Sequence, residues 1–175
     1  MRLQHVIQGE FRVSDGPEDV FVTVLGSCIA TCLTDREAGV GGMNHFLLPR
    51  ESAPGGKETR YGINAMELLI NAILKAGGAL HRLEAKVFGG ANTTGSRFGI
   101  GAANAEFAFW FLRNEGIPCI GYDVGGERAR KLRYWPRSGL AQQMVLPDAL
   151  APDAVTRPPY RPPPPGPGPG ELDLL

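Results

Sequence analysis

Residues 20–49 read VFVTVLGSCIATCLTDREAGVGGMNHFLLP, and this stretch decides the fold class. Residues 20–25 (VFVTVL) are rich in β-branched side chains and predict a strand. Gly26-Ser27 interrupts it, and residues 28–34 (CIATCLT) resume as a second strand. Residues 35–39 (DREAG) have the composition of a turn, and residues 40–48 return as a third strand weakened by the Gly41-Gly42 pair. A turn centred on Arg36-Glu37 sets Cys28 opposite His45 in an antiparallel hairpin. Opposed residues share a face, with Cβ atoms roughly 4.5–5.5 Å apart, close enough for an imidazole to hydrogen-bond a thiol. A bulge at the glycine pair would move that register by one residue.

Outward from this hairpin, residues 3–8 predict a short strand. Residues 64–76 predict a helix, with Ala65, Leu68, Leu69, Ala72, Ile73 and Ala76 at helical spacing, Asn64 as its cap and Gly77-Gly78 as its stop. Residues 83–88 predict a strand running into the glycine-rich loop 89–101. Residues 102–115 predict a second, largely apolar helix stopped by Gly116. Residues 117–123 predict another strand, and 130–135 with 140–146 a final hairpin. Seven or eight strands with two main helices make an α+β fold, a layered sandwich of helices on a mixed, largely antiparallel sheet.

The chain has 175 residues, with 18 basic side chains against 18 acidic ones. That length predicts one domain with a core large enough to need no disulfide or metal staple. A balanced charge argues against a broad nucleic-acid footprint. Ten of the 15 prolines lie at or after Pro147, in PDALAPDAVTRPPYRPPPPGPGPGELDLL. Such a segment buries too little apolar surface to offset its ordering entropy, so residues 1–146 are expected to form the domain and 147–175 a disordered, proline-rich tail. There is no signal-peptide pattern and no apolar run of about 18 residues, so membrane insertion is not expected. Three cysteines (Cys28, Cys32, Cys119) without CxxC spacing read as reduced thiols of a cytoplasmic protein.

Around Cys28 the residue types suit a nucleophile. The backbone break at Gly26-Ser27 can present N–H groups to an oxyanion, a neighbouring imidazole favours the thiolate, and Thr23 can orient His45. Cys32 and Cys119 read as core. Burial as plain packing is the alternative for Cys28 too. A metal site from Cys28, Cys32 and His45 lacks an evident fourth ligand. Arg128, Arg130, Lys131, Arg133 and Arg137 form a basic cluster, either a solvated strand face or a docking surface for acidic helices. The loop 89–101 lacks the spacing of a phosphate loop.

The segments Thr23-Val24-Leu25-Gly26-Ser27-Cys28 and Gly41-Gly42-Met43-Asn44-His45-Phe46-Leu47-Leu48-Pro49 resemble the signature of the CheD family of chemoreceptor glutamine deamidases. The resemblance continues through Arg60-Tyr61-Gly62, Lys86-Val87-Phe88-Gly89-Gly90-Ala91, Ile100-Gly101, Asn104, Gly125-Gly126 and the basic strand at 130–135. It covers residues 1–146 and stops at the tail. It implies a layered fold like that of the cytotoxic necrotizing factor-type deamidases. It implies Cys28, His45 and Thr23 as catalytic residues, with Gly26, Ser27 and Asn44 as oxyanion or supporting residues.

By the same resemblance no metal and no organic cofactor is required. The implied substrate is a glutamine in the cytoplasmic helical domain of a methyl-accepting chemotaxis receptor, converted to glutamate through a Cys28 thioester with release of ammonia. Some members of the family also bind a CheC-type phosphatase. Two readings compete: a transglutaminase-like enzyme resolving the thioester with an amine, and a non-catalytic regulatory module.

Overall fold

A computed structural model of the protein describes residues 1–49, 57–93 and 99–147, apart from the side chains of residues 57 and 58. The expected tail beyond Pro147, most of the polar loop at 49–59 and the middle of the glycine-rich loop lie outside the described residues. The β-branched run forms a strand as its composition predicts. It spans Asp19–Leu25 (β3), after β1 (Arg2–His5) and β2 (Phe11–Ser14). Then follow β4 (Ile29–Asp35), β5 (Val40–Asn44), α1 (Lys57–Lys75), β6 (Glu84–Gly89), α2 (Ile100–Glu115), β7 (Cys119–Val124), β8 (Arg130–Trp135) and β9 (Leu140–Val145). The class is α+β, with two main helices.

The strands form two sheets rather than one. The first has the order β1-β3-β8-β9 and the second β2-β5-β4-β6-β7. Among the described residues only β1–β3 and β6–β7 pair in parallel. Between the sheets lies a core of Phe21, Leu25, Leu132, Tyr134 and Ala141 from one side and Ala30, Cys32, Met43 and Phe88 from the other. A second core joins the five-stranded sheet to both helices through Ile29, Leu33, Phe46, Met66, Leu69, Ile73, Phe107 and Leu112. The molecule is thus three layers: sheet, sheet, helices. Gly41 shows how closely the sheets approach, since a Cβ there would strike the Pro136 carbonyl. The glycine pair is a packing device and carries no bulge, for Gly41 and Gly42 pair regularly with Thr34 and Leu33.

Three local expectations are corrected. The β4–β5 pairs are Cys32 with Met43, Leu33 with Gly42 and Asp35 with Val40, which moves the hairpin register by two residues from the expected one. The cause is a four-residue turn, 36–39, closed by Gly39 N–H on Asp35 O at 2.9 Å and by Ala38 N–H on the Asp35 carboxylate at 3.0 Å. Helix α1 starts at Lys57, so Asn64 lies mid-helix and exposed instead of capping. Gly62 allows that extension: a side chain there would press into Phe107 of α2. Finally, β1 ends at His5 rather than at residue 8, and a further strand, β2, has four residues, too few to show a period in the sequence.

The chain crosses between the two sheets at residues 15–18 and, toward the other end of β3, at residues 6–10, 26–28 and 125–129. The last three lie together, because Leu25 pairs with Arg130, Gly89 with Val124, and Val6 N–H bonds Val22 O at 2.9 Å. Cys28 sits on one of them.

Candidate active site

The bend at 26–28 is held from behind by its carbonyls. Gly26 O accepts from Ala91 N at 2.9 Å, Ser27 O from Asn104 Nδ2 at 2.8 Å, and Cys28 O from Gly90 N at 2.8 Å. In a planar trans peptide the N–H points opposite to the carbonyl, so the N–H groups of Ser27 and Cys28 are directed away from α2 and the 89–91 loop. Close approach of that loop requires Gly89. Its φ is +112°, and a Cβ would collide with the Cys28 carbonyl oxygen. Asn104 is fully buried and also accepts Leu48 N–H at 3.0 Å, so one side chain ties the bend to the segment following the histidine. Phe46 packs edge-on against Phe107 at 5.9 Å and fixes that segment to α2.

His45 is 7% exposed. Its backbone is clamped by the residues just before β2: His45 N–H donates to Glu10 O at 3.0 Å, and Gly9 N–H donates to His45 O at 2.7 Å. On the ring, Nδ1 lies 2.9 Å from Thr23 Oγ1 and 3.2 Å from Val6 O. The Thr23 hydroxyl has one proton and gives it to Val6 O at 2.6 Å. Toward Nδ1 that oxygen can therefore only accept, and Val6 O accepts too. The neutral ring thus carries its proton on Nδ1 and keeps its lone pair on Nε2. Burial lowers the His45 pKa from its ordinary value, offset in part by the bond to Val6 O.

Cys28 is half-buried, and its sulfur donates to Gln8 Oε1 at 3.6 Å. Burial raises its thiol pKa, opposed by its own backbone N–H, which therefore lies on the sulfur's side of the bend. Direct opposition to His45 is corrected by the register: Ile29 and Phe46 form the bridge, so Cys28 and His45 are diagonal neighbours. A shift of two residues preserves the face, and both look into the space between the sheets.

Of the residues named from sequence, the structure brings Thr23, Ser27, Cys28 and His45 to this end of the sandwich. Gly26 is beside them, with Thr93 as its nearest side-chain neighbour. Asn44 is turned to the opposite face, where Oδ1 accepts Thr31 N–H at 2.9 Å and Nδ2 meets Met66 Sδ at 3.4 Å. It supports β4 and α1 behind the histidine and does not reach the thiol, because adjacent strand residues face opposite ways. Val6, Gln8 and Asn104 were missed as site residues. Val6 acts through its carbonyl, which no side-chain pattern reports. Gln8 lay inside what read as a strand.

Cys32 is buried between the sheets, and burial drives its thiol pKa far up. Cys119 is pushed up to about 11 by the same cause. Among the described residues no three His, Cys, Asp or Glu side chains gather as metal ligands would. The basic cluster divides: Arg130 is buried on Asp123 (3.0 Å) and on backbone carbonyls, Arg137 bonds Asp15 O, and Arg128 is exposed. A shallow groove beside His45 is lined by Phe11, Phe46, Tyr61, Asn64 and Leu68. Among the described residues no helix is long and apolar enough to cross a membrane.

A thiol, an imidazole with a free Nε2 and a hydroxyl that locks Nδ1 can together perform nucleophilic acyl transfer. Comparison with known proteins gives this α+β sandwich its family. Residues 47–144 match the family model described as CheD chemotactic sensory transduction. The chain is 56% identical over 151 residues to the "Probable chemoreceptor glutamine deamidase CheD" of Rhizobium rhizogenes, covering 85% of this chain and 82% of that one. The protein of the same name from Rhizobium johnstonii is 55% identical over the same shares. That from Cereibacter sphaeroides is 54% identical over 82% of this chain and 72% of its own. The chain belongs to the CheD family. Among solved structures it is similar to a Neisseria meningitidis protein of family DUF152, with TM-score 0.43, 12% identity, and coverage of 71% of this chain and 62% of that one.

Proposed function

We propose that this protein deamidates glutamine side chains of chemotaxis receptors, with Cys28 as nucleophile. The name shared by its relatives supports the activity and the substrate. The observation that carries the mechanism is the His45 ring, fixed through Nδ1 by Thr23 and Val6 on the same strand face as the Cys28 thiol.

In this reading His45 Nε2 takes the thiol proton as Cys28 Sγ attacks the carboxamide carbon. The Ser27 and Cys28 N–H groups stabilise the oxyanion. His45 returns the proton to the departing nitrogen, ammonia leaves, and a thioester remains. Water, deprotonated by His45, then hydrolyses the thioester, so that carboxamide plus water becomes carboxylate plus ammonium. No step runs through a metal or an organic cofactor. Thr23 serves as the positioning residue for the base.

The substrate glutamines would lie in the receptors' cytoplasmic helical domain, and the enzyme would then act in the cytoplasm. A CheC-type phosphatase would be a second partner. Residues 1–146 would form the catalytic domain, and no role is assigned to the tail. Incubation with receptor cytoplasmic fragments, followed by peptide mass spectrometry, tests the reading. Glutamine-to-glutamate conversion that is lost in Cys28→Ala is expected; conversion that survives Cys28→Ala sinks the cysteine mechanism.

A further inference from the structure

Residues 6–10 carry the chain from β1 in one sheet to β2 in the other, over the site. Their path is anchored at both ends. Val6 holds the Thr23 hydroxyl and the His45 ring, while Gly9 and Glu10 hold the His45 backbone. Between these anchors the chain turns: Glu10 N–H donates to Ile7 O at 3.0 Å, and the Glu10 carboxylate accepts Ile7 N–H at 3.1 Å. Gly9 has φ +88°, the left-handed value a type II turn requires at its third position. Gln8 stands at the corner of that turn, and its Oε1 accepts the hydrogen bond of Cys28 Sγ. A side-chain carboxamide therefore already rests on the thiol.

We propose that Gln8 is an internal gate. Its carboxamide occupies, in the resting protein, the place beside Cys28 that a substrate carboxamide takes, and substrate enters by displacing it. The identity of the displacing group rests on the deamidase reading; the gate itself does not.

The resting contact makes and breaks no covalent bond. The S–H donates to an amide oxygen, so its proton is directed at the carboxamide rather than at His45 Nε2, and the sulfur is not a thiolate. Burial, which raises the thiol pKa, keeps it so. Displacement of Gln8 frees the S–H for His45. The backbone on either side is fixed, so the gate opens by side-chain rotation of an exposed residue. A tethered carboxamide also competes at high effective concentration. Free glutamine must beat that competitor with one group, whereas a protein substrate adds contacts outside the site. The gate thus selects protein-bound glutamine.

The test compares iodoacetamide alkylation of Cys28, read by peptide mass, in the wild type and in Gln8→Ala at one pH. Loss of one hydrogen bond from an exposed side chain predicts about three- to tenfold faster alkylation. An unchanged or slower rate overturns the gate. Ammonia release then reads selectivity: in Gln8→Ala the KM for a receptor fragment falls and free glutamine gains turnover, whereas a fall in kcat makes Gln8 part of the machinery and overturns the proposal. Faster alkylation without deamidation of any receptor fragment by either protein leaves the gate standing and removes the deamidase reading.

Discussion

The Thr23 hydroxyl meets His45 Nδ1 at 2.9 Å although Thr23 belongs to one sheet and His45 extends the other. A side chain 22 positions away in sequence thus sets the tautomer of the imidazole. Thr23→Val keeps the shape and removes the acceptor, leaving Nδ1 only the longer bond to Val6 O. We expect kcat for ammonia release to fall about ten- to hundredfold, as for loss of a partner that orients a functional histidine. Thr23→Ser should recover much of it, and a Val variant as active as the wild type would remove Thr23 from the mechanism.

Burial acts on both members of the pair in the direction that discharges them. It raises the Cys28 thiol and lowers the His45 imidazolium, so at neutral pH the resting pair is thiol and neutral imidazole. His45 accepts a proton only above its lowered pKa. The acid limb of kcat/KM is therefore expected below the ordinary histidine value of about 6.5. Iodoacetamide alkylation of Cys28 should keep rising past the ordinary thiol value of about 8.5. An alkylation inflection near pH 5 would instead mean a preformed thiolate–imidazolium pair.

Asn104 bonds Ser27 O and Leu48 N–H while lying 0% exposed. Asn104→Leu fills the same space and leaves both backbone groups without that partner, at a cost of roughly 2–4 kcal/mol. Thermal melting should show the loss. Asn104→Asp keeps the acceptor for Leu48 and loses the donor to Ser27, so its deamidation should suffer more than its stability. Equal loss in both would make Asn104 a purely structural residue.

Asp35 is fully buried in the β4–β5 turn. Burial by itself would raise its pKa, but Arg82 and the N–H groups of Ala38 and Ala79 outweigh it and hold the carboxyl down to about 2. A depressed carboxylate stabilises the fold above its ordinary value of about 3.9, and that stability is lost as pH falls through about 2. Asp35→Asn should thus lower the melting temperature at pH 7 by roughly 5 °C or more. Melting curves should draw together as pH drops from 4 to 2; a constant gap would mean that charge plays no part.

The strands around the site were legible because composition alone marks them: residues 20–25 and 28–34 are β-branched and apolar and flank turn residues. Their pairing was legible only to within two residues. Register depends on how many residues the turn takes, and Asp35 closes four. That error kept Cys28 and His45 on one face, since strand side chains repeat every two positions. Asn44 shows the same parity from the other side: its neighbour faces the site, so it cannot.

What stayed hidden was the second sheet. A sequence read strand by strand does not say that residues 6–10, 26–28 and 125–129 pass between layers at one place. Val6 and Gln8 reach the site through that geometry. Asn104 reaches it from a helix whose apolar face is otherwise ordinary core.

Because Cys28 lies on a crossing between layers and the His45 ring is pinned across them, a mechanism that uses both would make the site a strain gauge on the sandwich. One strand step is about 3.3 Å, longer than the 2.9 Å that joins Thr23 to His45. A slip of one sheet over the other, far too small to melt a strand or a helix, would disengage the histidine. Catalysis should therefore vanish before secondary structure does when heat or denaturant loosens the contact around Phe21, Leu132 and Met43.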